Sequence, residues 1–154
     1  MFGRVASLVA LLVLVLVDSN WANQTKSTGV ESRVRSLAAE LAQAISDRDA
    51  AGATRHVRED EHVVYVSDGA IIRGTEYRQT LERFYSGLKQ LSFKWERGEV
   101  RVVSPRAGVF TGWANINAVD ATGTATETRA IFTLLYAETG AGWELVTAHK
   151  TTTR

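Results

Sequence analysis

The sequence predicts an α+β fold: N-terminal helices packed on a curved, mixed but mostly antiparallel sheet, after a signal peptide. Three observations predict it. The first half repeats apolar residues at three- and four-residue steps; the second half switches to a two-residue period; short Gly-containing turns separate four long strands. Helices first and strands after is the order of an α+β domain, with helices on one face of the sheet.

The 154 residues suit one domain. With 18 Lys+Arg against 17 Asp+Glu, the net charge of +1 speaks against a nucleic-acid-binding surface. The chain has no cysteine, which excludes a disulfide scaffold, a lipoprotein anchor, a thiolate nucleophile and any Cys-ligated zinc or iron–sulfur site.

Met1–Arg4 carries one positive charge, and Val5–Val17 is then apolar except for Ser7. Asp18 ends the run, and Ala22 offers a small residue for cleavage. This is the layout of a secretory signal peptide over residues 1–22, and its apolar core is short for a membrane span, which needs roughly 20 residues. The expected location is secreted or periplasmic, without stable membrane insertion after cleavage; an uncleaved N-terminal anchor is the alternative. Residues 23–29 read as a linker, and Asn23-Gln24-Thr25 fits a glycosylation acceptor.

Thr28 and Glu31 fit a capping box ahead of a stripe of Val34, Leu37, Ala38, Leu41 and Ile45. A short second helix is expected from about Ala50 to Val57. His62–Val66 is rich in strand formers, Ser67-Asp68-Gly69 is a turn, and Ala70–Arg73 is a returning strand. A third helix opens at Gly74, with Tyr77, Leu81, Phe84, Tyr85, Leu88 and Leu91 at helical spacing. Ser92–Ser104, Val109–Val119, Thr124–Ala137 and Trp143–Thr152 then read as long strands of an antiparallel meander.

This element order resembles the SnoaL-like domains of the nuclear transport factor 2-like superfamily, over about Val30 to Thr153. Asp47-Arg48-Asp49-Ala50, Ser67-Asp68-Gly69 and Ile72-Arg73-Gly74 carry the resemblance. So does the ending Gly142-Trp143-Glu144-Leu145-Val146-Thr147-Ala148-His149-Lys150-Thr151, with Thr151 where serine is usual. The resemblance implies a cystatin-like cone over residues 30–154, whose open end holds a small, largely apolar ligand. It also implies pairing of two copies through the convex face of the sheet. It fixes a fold and a pocket, not one activity.

Two activities of that superfamily can be held against the residues. The ketosteroid isomerase pattern puts Val66 at the position of the base and Arg129 or Thr133 near that of the acid, and none of these can do the work. Scytalone dehydratase-like chemistry needs an Asp–His pair beside pocket tyrosines. His149, Tyr65 and Tyr77 are present, but no aspartate is placed to orient the imidazole.

Alternation divides Val109–Val119 into a face of Val109, Thr111, Trp113, Asn115 and Asn117 and a face of Phe110, Gly112, Ala114, Ile116 and Ala118. Either the Trp113 face looks into the cone and gives the pocket an aromatic wall and two amides, or Trp113 packs and the amides meet solvent. Glu127 and Arg129 share a face; facing inward, Arg129 could hold a carboxylate, and facing outward the two form a solvated ladder. His56-Val57-Arg58-Glu59-Asp60-Glu61-His62 lacks metal-ligand spacing and reads as a charged loop. No metal and no cofactor are expected.

Three functions follow. The first is an exported, non-catalytic domain binding a small, partly hydrophobic molecule through Tyr65, Tyr77, Trp95, Trp113, Asn115, Arg129 and His149. The second is a lyase, isomerase or cyclase with His149 as general acid or base. The third is a homodimeric association module that pairs through Phe110, Ala114, Ile116, Ala118, Phe132 and Leu134 on the convex face.

Overall fold

The computed structural model describes residues 28–153, so the expected signal peptide and the linker residues 23–27 lie outside the described residues. Residues 28–46 are helical (α1), so 28 and 29 belong to a helix rather than to a linker. Val34, Leu37, Ala38 and Leu41 form the buried stripe of α1, as their spacing requires. Asp49 caps the short α2 (Ala50–Ala53) by accepting a hydrogen bond from the Gly52 amide at 2.9 Å.

The strands are β1 (Val64–Ser67), β2 (Ala70–Arg73), β3 (Leu88–Ser104), β4 (Ala107–Asp120), β5 (Ala125–Thr139) and β6 (Gly142–Thr153), with α3 (Gly74–Ser86) between β2 and β3. They form one mixed sheet in the order β2-β1-β6-β5-β4-β3, in which β1 and β6 run parallel and every other neighbour pair is antiparallel. Asp68 (φ 50°) and Gly69 (φ 86°) make the two-residue hairpin turn between β1 and β2, which demands positive φ at both positions. The apolar spacing expected to continue α3 through Leu88 and Leu91 is corrected. The helix stops at Ser86, Gly87 follows, and both leucines begin β3 with Leu91 still buried.

Which face of each strand is inside is now fixed. Phe110, Ala114, Ala130, Leu134 and Tyr136 are buried beneath the helices. Register aligns Gly98, Gly112, Phe132 and Lys150 across β3 to β6 on that same face. Phe110 covers the cross-strand pair Gly98–Gly112: a Cβ at Gly98 would stand 2.6 Å from the Phe110 ring, and one at Gly112 would strike Phe110 and come within 2.7 Å of Trp95. Trp95 fills the adjoining space, edge-on to Phe93, Phe110 and Phe132 with centroids 4.7–5.4 Å away. Its indole Nε1 donates to the Ala38 carbonyl at 2.9 Å, and Ser46 Oγ donates to the Phe93 carbonyl at 3.0 Å. These two bonds fasten α1 across β3.

Gly112→Ala should therefore destabilise the fold by about 1–3 kcal/mol, the usual cost of overpacking. Gly140→Ala, where nothing stands within 4 Å, should change stability by no more than about 0.5 kcal/mol. Urea denaturation of the two variants checks this pair, and equal losses would contradict it.

Candidate functional site

The concave face is solid at one end and hollow at the other. Val34, Leu37 and Tyr136 are fully buried at the solid end. Between α3 and the sheet lies a cavity of about 300 Å³, the volume of about ten waters at ~30 Å³ each. Tyr77, Leu81, Phe84 and Tyr85 of α3 form one wall; Phe93, Ile116, Phe132 and Ala148 of the sheet form the other. Leu41 and Ile45 of α1 close it from the side.

The α3 residues are those of the stripe read from the sequence, and the reason for the hollow is visible in them. Tyr77 and Tyr85 hold the helix off the sheet, while Ala148 presents a small side chain opposite. Tyr65 and Tyr77 stack with centroids 4.4 Å apart and planes 13° from parallel. Tyr65 donates its hydroxyl proton to the Leu145 carbonyl at 3.1 Å. Tyr85 is buried and its hydroxyl has no hydrogen-bond partner, the one such sealed side-chain atom among the described residues. Burial pushes the phenols of Tyr65 and Tyr85 well up and that of Tyr77 to about 12, so all three stay neutral donors near neutral pH.

Ser67, Thr80 and Lys150 supply the remaining polar groups of the lining. Lys150 is already engaged: its Nζ lies 2.7 Å from Asp68 Oδ2. Asp68 also accepts from the Thr152 amide at 2.6 Å and the Thr152 hydroxyl at 2.9 Å. Asp68 is exposed and still forms a clasp that ties the β1–β2 hairpin to β6. Among the described residues, the cavity lining holds no carboxylate and no imidazole.

The residues expected at the site divide as follows. Tyr65 and Tyr77 line the cavity. Trp95 sits in the core beside it, held by Ala38. Trp113, Asn115, Arg129 and His149 are corrected: they stand on the outer face. Ala148 and Lys150 line the cavity, so His149 between them points to the opposite side, where it is exposed and 3.4 Å from the Thr151 hydroxyl. The guanidinium of Arg97 stacks on Trp113 at 3.6 Å from the ring centroid, which covers the indole without burying it in the core. Asn115 donates to Glu127 at 2.9 Å and accepts from Asn117 at 3.2 Å, and Arg129 is exposed.

The set expected on the convex face is corrected too. Phe110, Ala114 and Leu134 are buried under the helices, and Ile116 and Phe132 line the cavity. Sequence reasoning missed Phe84, Phe93, Phe132 and Lys150 as lining residues. For the three strand residues the signal is the Gly98–Gly112 pair, which leaves room for Phe110 on one face and so, by register, sets Phe93, Phe132 and Lys150 on that face.

The charged cluster between α2 and β1 is split: His56 Nε2 meets Glu40 of α1 at 3.2 Å, while His62 is exposed. Among the described residues no three acidic, histidine or cysteine side chains are grouped to hold a metal. A wider groove of about 750 Å³ runs past Arg48, Lys89, Gln90, Asn117 and Glu127, but it is open and these five side chains are exposed.

Fold and cavity define a class, a cone with a ligand-sized hollow under its third helix, and comparison with known proteins agrees. Residues 34–151 match the SnoaL-like domain, and the chain belongs to that family. A nuclear transport factor 2-like superfamily protein from Salmonella enterica serovar Typhimurium superposes with a TM-score of 0.72 at 16% identity, covering 82% of this chain and 93% of that one. A hexachlorocyclohexane dehydrochlorinase from Novosphingobium barchaimii gives 0.73 at 10% identity, covering 85% and 91%. A nuclear transport factor 2-like protein from Pseudomonas putida gives 0.69 at 18% identity, covering 81% and 87%. These likenesses establish the fold. Comparison with curated proteins finds no match.

The Asp68 clasp makes a prediction about acid. Its carboxyl is held at about 2, first by the Lys150 hydrogen bond and next by the Thr152 amide, against 3.8 for a free carboxyl. A folded value below the unfolded one contributes stability above about pH 4, which is lost as pH falls from there toward 2. Urea midpoints measured from pH 6 to pH 2 should fall less steeply in Asp68→Asn than in the natural chain below pH 4. Identical slopes would contradict the clasp.

Proposed function

We propose that this protein is an exported, non-catalytic domain that binds a small, largely hydrophobic molecule in the cavity between α3 and the sheet. The observation that carries this reading is an apolar hollow of about 300 Å³ with aromatic walls, at the small end of ligand pockets. A core without a ligand to hold would gain dispersion energy by closing such a space. The lining offers no proton-transfer pair, and His149 faces away from it, so a lyase or isomerase reaction has no general base there. The dehydrochlorinase among the structural neighbours is a reason to test turnover, not to assume it.

Native mass spectrometry of protein purified from its own source tests the reading. The natural chain should carry a retained small molecule, and Ile116→Trp, which fills the cavity, should not. Retention in the filled variant, or only the bare chain in both, would overturn it. The same spectrum reports export: the chain mass should lack residues 1–22, whereas the full-length mass would favour an N-terminal anchor.

We propose in addition that a second copy covers the outer face of the sheet. Register sets Trp113 beside Ile131 and Val109 beside Leu135, giving that face apolar area on two adjacent strands. Arg97, Glu99, Glu127 and Arg129 give it both charge signs, so it can complement its own copy about a two-fold axis. Light scattering at micromolar concentration should report a dimer that Trp113→Glu converts to a monomer. A natural chain that is strictly monomeric would overturn this.

A further inference from the structure

We propose that the cavity selects a flat, neutral molecule bearing one carbonyl or hydroxyl oxygen, and that the Tyr77 hydroxyl is the group that reads this oxygen. The inference rests on the cavity being a binding site and goes on to say which chemistry it takes. Two phenols of α3 reach the hollow without a protein partner, but they differ. The Tyr85 hydroxyl is sealed from solvent. The Tyr77 hydroxyl bonds to no described residue, yet it is not among the sealed atoms; its ring lines the cavity and is pinned against Tyr65. A donor fixed in orientation, left unpaired and open to an apolar hollow has its bond completed by whatever fills the hollow.

The rest of the lining sets the other properties. Tyr65, Tyr77, Phe84, Phe93 and Phe132 offer ring faces and edges, which favour a flat body over a branched chain. The one cation in the lining, Lys150, is held by Asp68 at 2.7 Å, so a carboxylate entering the cavity would lose its water without gaining a free partner. The ligand is therefore neutral. Ser67 and Thr80 add hydroxyls to the lining, whereas the Tyr77 phenol is held in place by the stack of its ring on Tyr65.

Three probes of one shape separate these statements: 2-acetylnaphthalene, its isostere 2-isopropenylnaphthalene, and 2-naphthoate. Affinities are measured by titration against the natural chain and Tyr77→Phe. The natural chain should bind the ketone about tenfold more tightly than the alkene, the equivalent of one net hydrogen bond, and should bind the carboxylate most weakly. Tyr77→Phe should lose the preference for the ketone and keep the affinity for the alkene, which also shows that the variant is folded and its cavity intact. Equal binding of ketone and alkene by the natural chain, or a ketone preference that survives in Tyr77→Phe, would overturn the role of Tyr77 while leaving the cavity a binding site. Tightest binding of the carboxylate would overturn the neutral ligand. Failure of all three probes to bind would overturn the binding reading and this inference with it.

Discussion

Phe110 over the Gly98–Gly112 pair is the contact on which the rest of the molecule depends. A sheet can cup helices only if its concave face yields room where the strands bend, and two facing glycines yield it. The ring that enters commits Phe110 to the inside, and alternation then commits the whole of β4. Gly108, Gly112 and Ala114 follow Phe110 inward, and Trp113 and Asn115 are turned out. Because register links β3 through β6, that decision propagates to Phe132 and Leu134 on β5 and to Ala148 and Lys150 on β6.

The same constraint divides the concave face into core and cavity. At one end α1 lies close on the sheet, held by the Trp95–Ala38 bond, and Val34, Leu37 and Tyr136 there are fully buried. At the other end α3 is held away by its own tyrosines, and the sheet beneath presents the small side chain of Ala148. The hollow survives because its walls are braced: the Asp68 clasp fixes the hairpin to β6, and the Tyr65 hydroxyl is tied to Leu145. A scaffold braced in this way holds its shape without a ligand and spends little ordering on binding one.

Much of the fold was legible because local chemistry wrote it down. The stripe of α1, the positive-φ turn at Asp68-Gly69 and the switch to a two-residue period each need only neighbouring residues to be read. The parallel pairing of β1 with β6 was not legible, since it joins residues more than 80 positions apart. Strand faces were the costlier loss. On β4 both faces carry apolar residues, Val109 and Trp113 against Phe110 and Ile116, so hydrophobicity alone cannot choose between them. Trp113 pulled the reading toward the wrong side, because a tryptophan outside the core needs a cover, and Arg97 supplies one that only register reveals. His149 failed for the same reason: the closing motif locates it in sequence but is silent on its face. Tyr65 and Tyr77 came from the resemblance, which asks for pocket tyrosines, and the short strand–turn–strand–helix unit that carries them does set both on the cavity.

The most direct test of which face encloses the hollow is methyl NMR with 2-acetylnaphthalene as the probe. Methyl resonances of Leu41, Ile45, Ile72, Leu81, Leu91, Ile116 and Leu134, which line the cavity, should shift on titration. Those of Val109, Ile131 and Leu135 on the outer face should stay in place. Shifts confined to the outer set, or none in the lining set, would contradict the account.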